Sequence, residues 1–439
     1  MTLPPYVRYC LDTLEQAGFP AYVVGGCVRD ACLGLEPQDF DVCTAALPEQ
    51  TEALFSPHRL ILAGKKHGTV AVVLEGIVEI TTFRSEGGYD DHRHPGWVRF
   101  QPDVESDLAR RDFTVNAMAF SPTRGLADPF GGGADLKSKT LRAVGDPETR
   151  FREDALRILR GVRFAVKYGL TVEENTLRAM ERQAFSLNDL ARERVFEELC
   201  KLLPLVNAED LLRFAPILAA AIPELKPTMG FDQRTPHHVY DVFTHIAHVV
   251  EGVGPDLPSR WAALLHDVGK PAAFTMDENG RGHFKGHAPI SAAMAGDILL
   301  RLKAPTALRE QVVFLVEHHM TKLEPDKKVL RRWLSRYGGE AVELLLRLQE
   351  ADMAGKGVDE PIAMEQFPVL RRLIGEILEE DSCLSLRDLA VNGHDLMALG
   401  LTGKAIGQTL NRLLNLVLEE VLPNTREALL SWIKKETEP

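Results

Sequence analysis

Short apolar runs alternate with amphipathic stretches up to about residue 140, and helical spacing takes over beyond it. Apolar positions three and four apart predict a helix near 5–17 and another over 26–34. Short apolar runs predict strands at 21–24 and 39–43, and a hairpin-like pair at 69–74 and 77–83 turning at Glu75-Gly76. One more strand is expected near 115–120. Asp128-Pro129-Phe130-Gly131-Gly132-Gly133 is a turn signal, after which strand patterns are hard to find. From about 150 onward the spacing is mostly helical, with joints marked by prolines and glycines around 222–236, 254–258 and 355–368. No internal repeat or low-complexity tract interrupts it. The pattern predicts an α+β protein with a mixed head and an all-α remainder.

Composition changes this picture little, and charge changes it locally. A chain of 439 residues is too long for one typical core. No segment approaches eighteen uninterrupted apolar residues, so no membrane-spanning helix is expected. The start, Met-Thr-Leu-Pro-Pro-Tyr-Val-Arg, lacks the basic-then-apolar layout of a signal peptide. Cys10, Cys27, Cys32, Cys43, Cys200 and Cys383 form no C-x-x-C pair; the four in the apolar N-terminal region read as buried free thiols, which fits a reducing cytoplasm. The net charge of −12 argues against a nucleic-acid partner only at first sight. Lys137, Lys139, Arg142, Arg150, Arg152, Arg157, Arg160, Arg163 and Lys167 crowd one segment, and association follows local potential more than total charge.

The first chemical signal is Val23-Val24-Gly25-Gly26-Cys27-Val28-Arg29-Asp30, where a strand meets a double glycine and a helix begins. Glycine lets the backbone approach a phosphate, and a helix start offers it free N–H groups. Asp39 and Asp41 follow, alternating with Phe40 and Val42, so both carboxylates are expected on one face of a strand. Paired hard oxygen ligands suit Mg²⁺, which is held by a few carboxylates together with substrate phosphates. A phosphate cradle beside such a pair reads as nucleotidyl transfer. Downstream, Asp107-Leu108-Ala109-Arg110-Arg111-Asp112-Phe113-Thr114-Val115-Asn116-Ala117 supplies guanidinium forks, natural partners of triphosphate and ribose oxygens.

The third signal is Arg152-Glu153-Asp154-Ala155-Leu156-Arg157-Ile158-Leu159-Arg160-Gly161-Val162-Arg163-Phe164. On one continuous helix, Asp154, Arg157, Arg160 and Arg163 would share a face. A carboxylate accepts from an exocyclic amine, and a guanidinium donates to a ring nitrogen. Cytosine and adenine present an amine beside an acceptor nitrogen, whereas uracil and guanine present the reverse order. An Asp-plus-Arg pair would accept C and A. The same spacing also fits an ordinary salt bridge along a helix.

These three motifs, in this order, resemble the class II tRNA nucleotidyltransferases, the bacterial CCA-adding enzyme and poly(A) polymerase family. The match is most specific over the first 165 residues or so. It extends less tightly through Leu386-Arg387-Asp388-Leu389, Asn392-Gly393-His394-Asp395-Leu396-Met397 and Gly403-Lys404-Ala405-Ile406-Gly407. The resemblance implies a polymerase-β-like nucleotidyltransferase head over 1–140 and a helical neck over 141–205. A helical body over 206–360 and a tail over 361–439 would hold the tRNA acceptor arm. It implies that Asp39 and Asp41 bind Mg²⁺ and that Gly26, Arg29 and Arg111 contact the triphosphate. Asp154 and Arg157 would read CTP and ATP, supported by Arg160 and Arg163. Arg84 to Phe100 resembles the family's flexible loop, whose presence argues against a CC-only enzyme. A CCA-adding enzyme, the A-adding partner of a split system and a poly(A) polymerase share every one of these motifs.

The helical half carries an independent constellation: His237-His238, His245, Leu265-His266-Asp267-Val268-Gly269-Lys270-Pro271, Gly286-His287, Glu317-His318-His319 and Ala351-Asp352. The His-Asp pair before Gly-Lys-Pro resembles the HD superfamily of metal-dependent phosphohydrolases. The implied ligands are His245, His266, Asp267 and Asp352, with His287 and either His318 or His319 framing a second metal. Imidazole with carboxylate suits Ni, Mn, Fe or Zn, which would activate water against a phosphoester. A relic that only packs the body is the competing reading. Trp261, Trp333 and Trp432 occupy helical apolar positions and are expected in cores, and 400–407 reads either as a phosphate contact or as a helix–helix turn.

Overall fold

A computed structural model describes residues 1–87, 96–236, 238–358, 364–380 and 383–437. They form two compact units, Met1–Lys226 with Arg301–Lys303, and Pro227–Leu300 with Ala304–Pro439. The first unit opens with α1 (Pro5–Gln16), which starts on a proline and buries Val7, Cys10, Leu11 and Leu14 at helical spacing. Then come β1 (Ala21–Val24), α2 (Gly26–Cys32), β2 (Asp41–Thr44), α3 (Pro48–Leu54), β3 (Arg59–Ile61), β4 (Thr69–Val73) and β5 (Ile77–Thr82). The pair β6 (Arg84–Gly87) and β7 (Trp97–Phe100) is antiparallel; residues 88–95 of the expected flexible loop lie outside the described residues. Next are α4 (Val104–Ala109), β8 (Ala119–Ser121), β9 (Gly125–Ala127) and α5 (Gly132–Lys137).

Seven strands make one mixed sheet in the order β3-β4-β5-β2-β1-β8-β9, parallel only where β2 meets β5. The strand expected near 115–120 begins later, because Thr114–Asn116 form a 3-10 turn. The remainder of the chain is not purely helical. Two-residue ladders join β10 (Thr140–Leu141) to β11 (Thr171–Val172) and, in the second unit, β12 (Thr275–Met276) to β13 (Gly282–His283). Runs this short leave no period to detect in the sequence.

The helices that finish the first unit are α6 (Pro147–Glu153), α7 (Leu156–Tyr168), α8 (Glu174–Gln183), α9 (Arg192–Leu202), α10 (Ala208–Arg213) and α11 (Ala215–Ala221). Helix α7 buries Ile158, Leu159, Val162 and Phe164 and stops at Gly169, whose φ of 60° suits a left-handed terminus. Asp112 ties the sheet side to this helix by accepting from Arg160 at 2.6 and 2.9 Å.

The second unit comprises α12 (Val242–Gly252), α13 (Leu257–Leu265), α14 (Lys270–Ala273), α15 (His287–Arg301, its last residue grouped with the first unit), α16 (Thr306–His318), α17 (Lys327–Ala354), α18 (Gln366–Glu379), α19 (Gly393–Ala398), α20 (Lys404–Leu418) and α21 (Arg426–Thr437). Helix α17 is broken at Gly338, whose backbone leaves the helical region at φ 79° and ψ 162°. Trp261 is fully buried as expected, but Trp333 is half-exposed and packs against the Tyr337 ring and edge-on to His318. Trp432 packs partly buried against the C-terminal core of Leu396, Leu413 and Leu429. Residues 400–403 form the turn between α19 and α20.

Two predictions follow from this packing. A Cβ on Gly132 would lie 2.2 Å from the Thr114 carbonyl oxygen, so Gly132→Ala should cost about 1–3 kcal/mol in urea unfolding. Burial would raise the Asp112 carboxyl, but Arg160 and Asn116 hold it down to about 2. A carboxyl lowered on folding contributes stability that is present above its unfolded value and lost as pH falls through its folded one. The stability gap between wild type and Asp112→Asn should therefore shrink by about 2 kcal/mol between pH 6 and pH 2.

Candidate functional sites

The phosphate cradle is built where β1 ends. Gly25 has φ 78°, and a Cβ there would meet the Arg111 Nη1 at 2.8 Å, so the position needs glycine twice over. Gly26 opens α2, its own Cβ position 3.5 Å from Arg29 Nη2. Arg111 is held by Asp107, 3.2 Å away, and its Nε is buried without a hydrogen-bond partner. Asp107 is fully buried; desolvation pushes its carboxyl up, but Arg110 and Arg111 outweigh that and hold it below the usual carboxylate range. Arg29 is buried too, and its guanidinium bonds Asn116, Asp30 and the Tyr168 hydroxyl while lying over the Tyr168 ring.

Asp41 is the first residue of β2, and Asp39 precedes the strand instead of lying within it. The alternation survives that difference: Phe40 is buried between two exposed aspartates. Parallel pairing sets Glu79 of β5 opposite Asp41, an acidic neighbour that no local motif announced. Partial desolvation first, and the Glu79 carboxylate next, raise the Asp41 carboxyl above its ordinary value, with Arg111 opposing them. Three carboxylates therefore gather beside a guanidinium-lined glycine turn.

The base-reading segment differs most from its sequence pattern. It is not one helix: α6 ends at Glu153, Asp154 adopts an extended φ of −144°, and α7 begins at Leu156. Asp154 itself makes the break, since its Oδ1 accepts the Leu156 N–H at 3.1 Å in the manner of a capping aspartate. Its Oδ2 accepts from Arg194 Nη2 of α9 at 3.0 Å. Arg157 is buried and donates to Glu153 Oε2 at 2.9 Å and to the carbonyls of Arg150 and Arg110. Arg160 turns to Asp112, and Arg163 pairs with Glu198. The four expected residues thus diverge to different partners. Most arginines of the basic segment bond protein groups in this way, whereas Lys137, Lys139 and Lys167 face solvent.

A second centre lies in the second unit. His245 (α12), His266 and Asp267 (after α13) and Asp352 (α17) bring one ligand atom each within 4.8 Å of one another, and Asp267, His287 and His319 form an adjoining set. His245 Nε2 is 2.9 Å from Asp352 and 3.3 Å from Asp267 Oδ2, while His287 Nε2 is 3.2 Å from Asp267 Oδ1. The Nδ1 atoms of His245, His266, His287 and His319 each lie 2.6–3.0 Å from a backbone carbonyl, of Gly355, Ala263, Phe284 and Val316. A carbonyl can only accept, so each Nδ1 carries a proton and each Nε2 is turned into the cluster. His245 and His266 then oppose Nε2 atoms 3.3 Å apart, and neither Asp267 oxygen has a well-formed hydrogen bond. Lys270 Nζ lies 2.7 Å from Asp267 Oδ2. Of the two adjacent histidines His319 belongs to the cluster; His318 turns away to pack edge-on against Phe314 and Trp333 and tilted against Tyr337. His237 lies outside the described residues, and His238 packs edge-on against His245. A cavity of about 640 Å³ adjoins the cluster and is lined by Lys270, Arg281, Lys285 and Lys356.

Comparison with known proteins agrees with the geometry of the head. Residues 21–142 match the model of the poly A polymerase head domain, 169–229 that of a probable RNA- and SrmB-binding site of polymerase A, and 286–433 that of a putative tRNA nucleotidyltransferase domain 2. The chain is 33% identical to the CCA-adding enzyme of Latilactobacillus sakei, over 97% of this chain and 96% of that one. It is 34% identical to that of Levilactobacillus brevis over 97% and 96%. Among solved structures, the Bacillus stearothermophilus CCA-adding enzyme in complex with CTP is similar at a TM-score of 0.69 and 28% identity, covering 99% of this chain and 98% of that one. Likeness over nearly the whole length, together with the glycine turn and the acidic cluster, shows that the chain belongs to the class II CCA-adding enzymes, a family of tRNA nucleotidyltransferases.

Proposed function

We infer that this protein builds or repairs the 3′-terminal CCA of tRNA from CTP and ATP. The observation that carries the reading is the gathering of Asp39, Asp41 and Glu79 beside the Gly25 turn and Arg111. Exposed hard oxygens fit Mg²⁺ well. When bound, Mg²⁺ ions lower the pKa of the terminal ribose hydroxyl and neutralise the leaving pyrophosphate. Asp39 and Asp41 would hold them, with Glu79 as a further oxygen donor. The α2 start and Arg111 would hold the triphosphate in line, and Arg29, locked by Asn116 and Tyr168, would keep the α2 start in place. Asp154 and Arg157 would select C and A by donor–acceptor order, with Glu153 setting the direction of the Arg157 fork. No helix among the described residues is long and apolar enough to cross a membrane, and a tRNA substrate suits a cytoplasmic location.

Asp41→Ala should lower nucleotide addition by about a thousandfold or more, the equivalent of about 4 kcal/mol of barrier, while tRNA affinity stays within about threefold. Equal loss of tRNA binding in a filter assay would sink the metal assignment. The wild type, given transcripts ending before CCA, after C and after CC, should extend all three and stop after A. Extension of the CC-ending transcript alone would make it an A-adding enzyme, and long A tails a poly(A) polymerase.

The second centre supports a second reading, an HD-type metal site for phosphoester hydrolysis. Its carrying observation is the set of Nε2 atoms turned inward around Asp267, whose oxygens have no well-formed hydrogen bond. Mixed imidazole and carboxylate donors fit Ni, Mn, Fe or Zn, which would supply an activated water. Asp267 would face both ligand sets, and the lysines and Arg281 of the adjoining cavity would hold an anionic ester. Elemental analysis of protein purified without chelator should find tightly bound transition metal, and at least about tenfold less in His266→Ala. Equal content in the two proteins would leave the cluster a packing relic.

A further inference from the structure

The two ligand sets of the second unit meet at Asp267 through different oxygens. Its Oδ2 lies 3.3 Å from His245 Nε2 and 3.2 Å from His266 Nε2, whereas Oδ1 lies 3.2 Å from His287 Nε2 and 3.9 Å from His319 Nε2. The ammonium of Lys270 approaches on the Oδ2 side, 2.7 Å away, with the two side chains only 6% and 1% exposed. Lys270 is pinned there. Gln233 Oε1 accepts from its Nζ at 2.8 Å, and the ammonium stands 5.4 Å over the centre of the Phe284 ring. Gln233 is buried in turn, donates to the Tyr240 carbonyl at 3.1 Å, and precedes Arg234, whose carbonyl accepts the Gly282 N–H of β13 at 2.9 Å. A lysine so enclosed does not swing out to water. Asp267 and Asp352 are buried carboxylates that need positive charge nearby, and Lys270 supplies one such charge whether or not a metal is present. The same charge repels any cation that approaches Oδ2.

We propose that Lys270 is a built-in counter-ion standing in for metal at the Oδ2 set: it lets the cluster fold without metal and weakens divalent metal binding by His245, His266, Asp267 and Asp352. This role rests on the reading of the cluster as a metal site. The Oδ1 set, on the other side of the same carboxylate, is less affected. The two sets then differ in affinity through one fixed ammonium, although both are built from imidazole and carboxylate.

The test is calorimetric titration of the full chain with Ni²⁺, in buffer holding about 5 mM Mg²⁺ to occupy the exposed carboxylates of the head. His287→Ala removes a ligand of the Oδ1 set, so strong binding that remains reports the Oδ2 set. In that parent, Lys270→Met and Lys270→Gln should each bind Ni²⁺ at least about tenfold more tightly, because both remove the charge. Lys270→Gln keeps a polar group against Asp267 and so separates charge from packing. Thermal unfolding gives a second readout. Stripped of metal, both variants should unfold at a lower temperature than the parent, and saturating Ni²⁺ should raise their midpoints by more than it raises the parent's. Unchanged or weaker Ni²⁺ binding in either variant overturns the counter-ion role and leaves the metal reading standing. If none of the proteins, wild type included, binds Ni²⁺, the metal reading falls and the role of Lys270 falls with it.

Discussion

The buried Asp107 carboxylate is the constraint on which the head's site depends. It neutralises Arg110 and Arg111 at once, at 2.8 and 3.2 Å, and an unpaired charge at that depth would be severely unfavourable. Pinned this way, Arg111 lies over a backbone that has no Cβ to obstruct it, so a cation sits against the start of α2 before any ligand arrives. Arg110 contributes in another way, since its carbonyl accepts from Arg157 and links the phosphate cradle to the base-reading segment. Asp112 repeats the device of Asp107 five residues on by holding Arg160. One short acidic–basic stretch thereby connects sheet, cradle and helix through charged hydrogen bonds that are mostly shielded from water.

How much was legible follows the range of each interaction. The glycine turn and the two aspartates are local, and strand-to-helix patterning with alternating burial exposes them in the sequence. Glu79 was not found, because a lone acidic residue in a strand has meaning only once β5 lies parallel to β2. The break at Asp154 was hidden for a different reason. Arg152 to Phe164 contains no proline and keeps helical spacing, and only a side-chain-to-backbone bond ends one helix and starts the next. Glu153 and Arg194 carry no signal of their own, since charged residues on helices are ordinary.

In the second unit the liganding types were evident, and their selection was not. Neighbouring residues on a helix point about 100° apart, so only one of His318 and His319 can face the cluster. Which one depends on the packing of α16 against α13 and α17, where His319 is buried and His318 joins a surface aromatic group. The carbonyls that hold the four Nδ1 atoms are likewise set by helix ends and turns, which no spacing rule reaches.

The joint at Asp154 has a consequence for how such a site drifts. A residue inside a helix inherits its direction from the turns on either side, and changing that direction disturbs the whole element. At a joint, the direction answers to one cap and one cross-helix ion pair, both partly open to solvent and each weak beside the apolar core of α7. On the reading proposed for Asp154, substitutions around it would therefore erode fidelity long before they erode folding. Lineages carrying this architecture would shift their choice of base through a handful of neighbouring side chains, with the scaffold untouched.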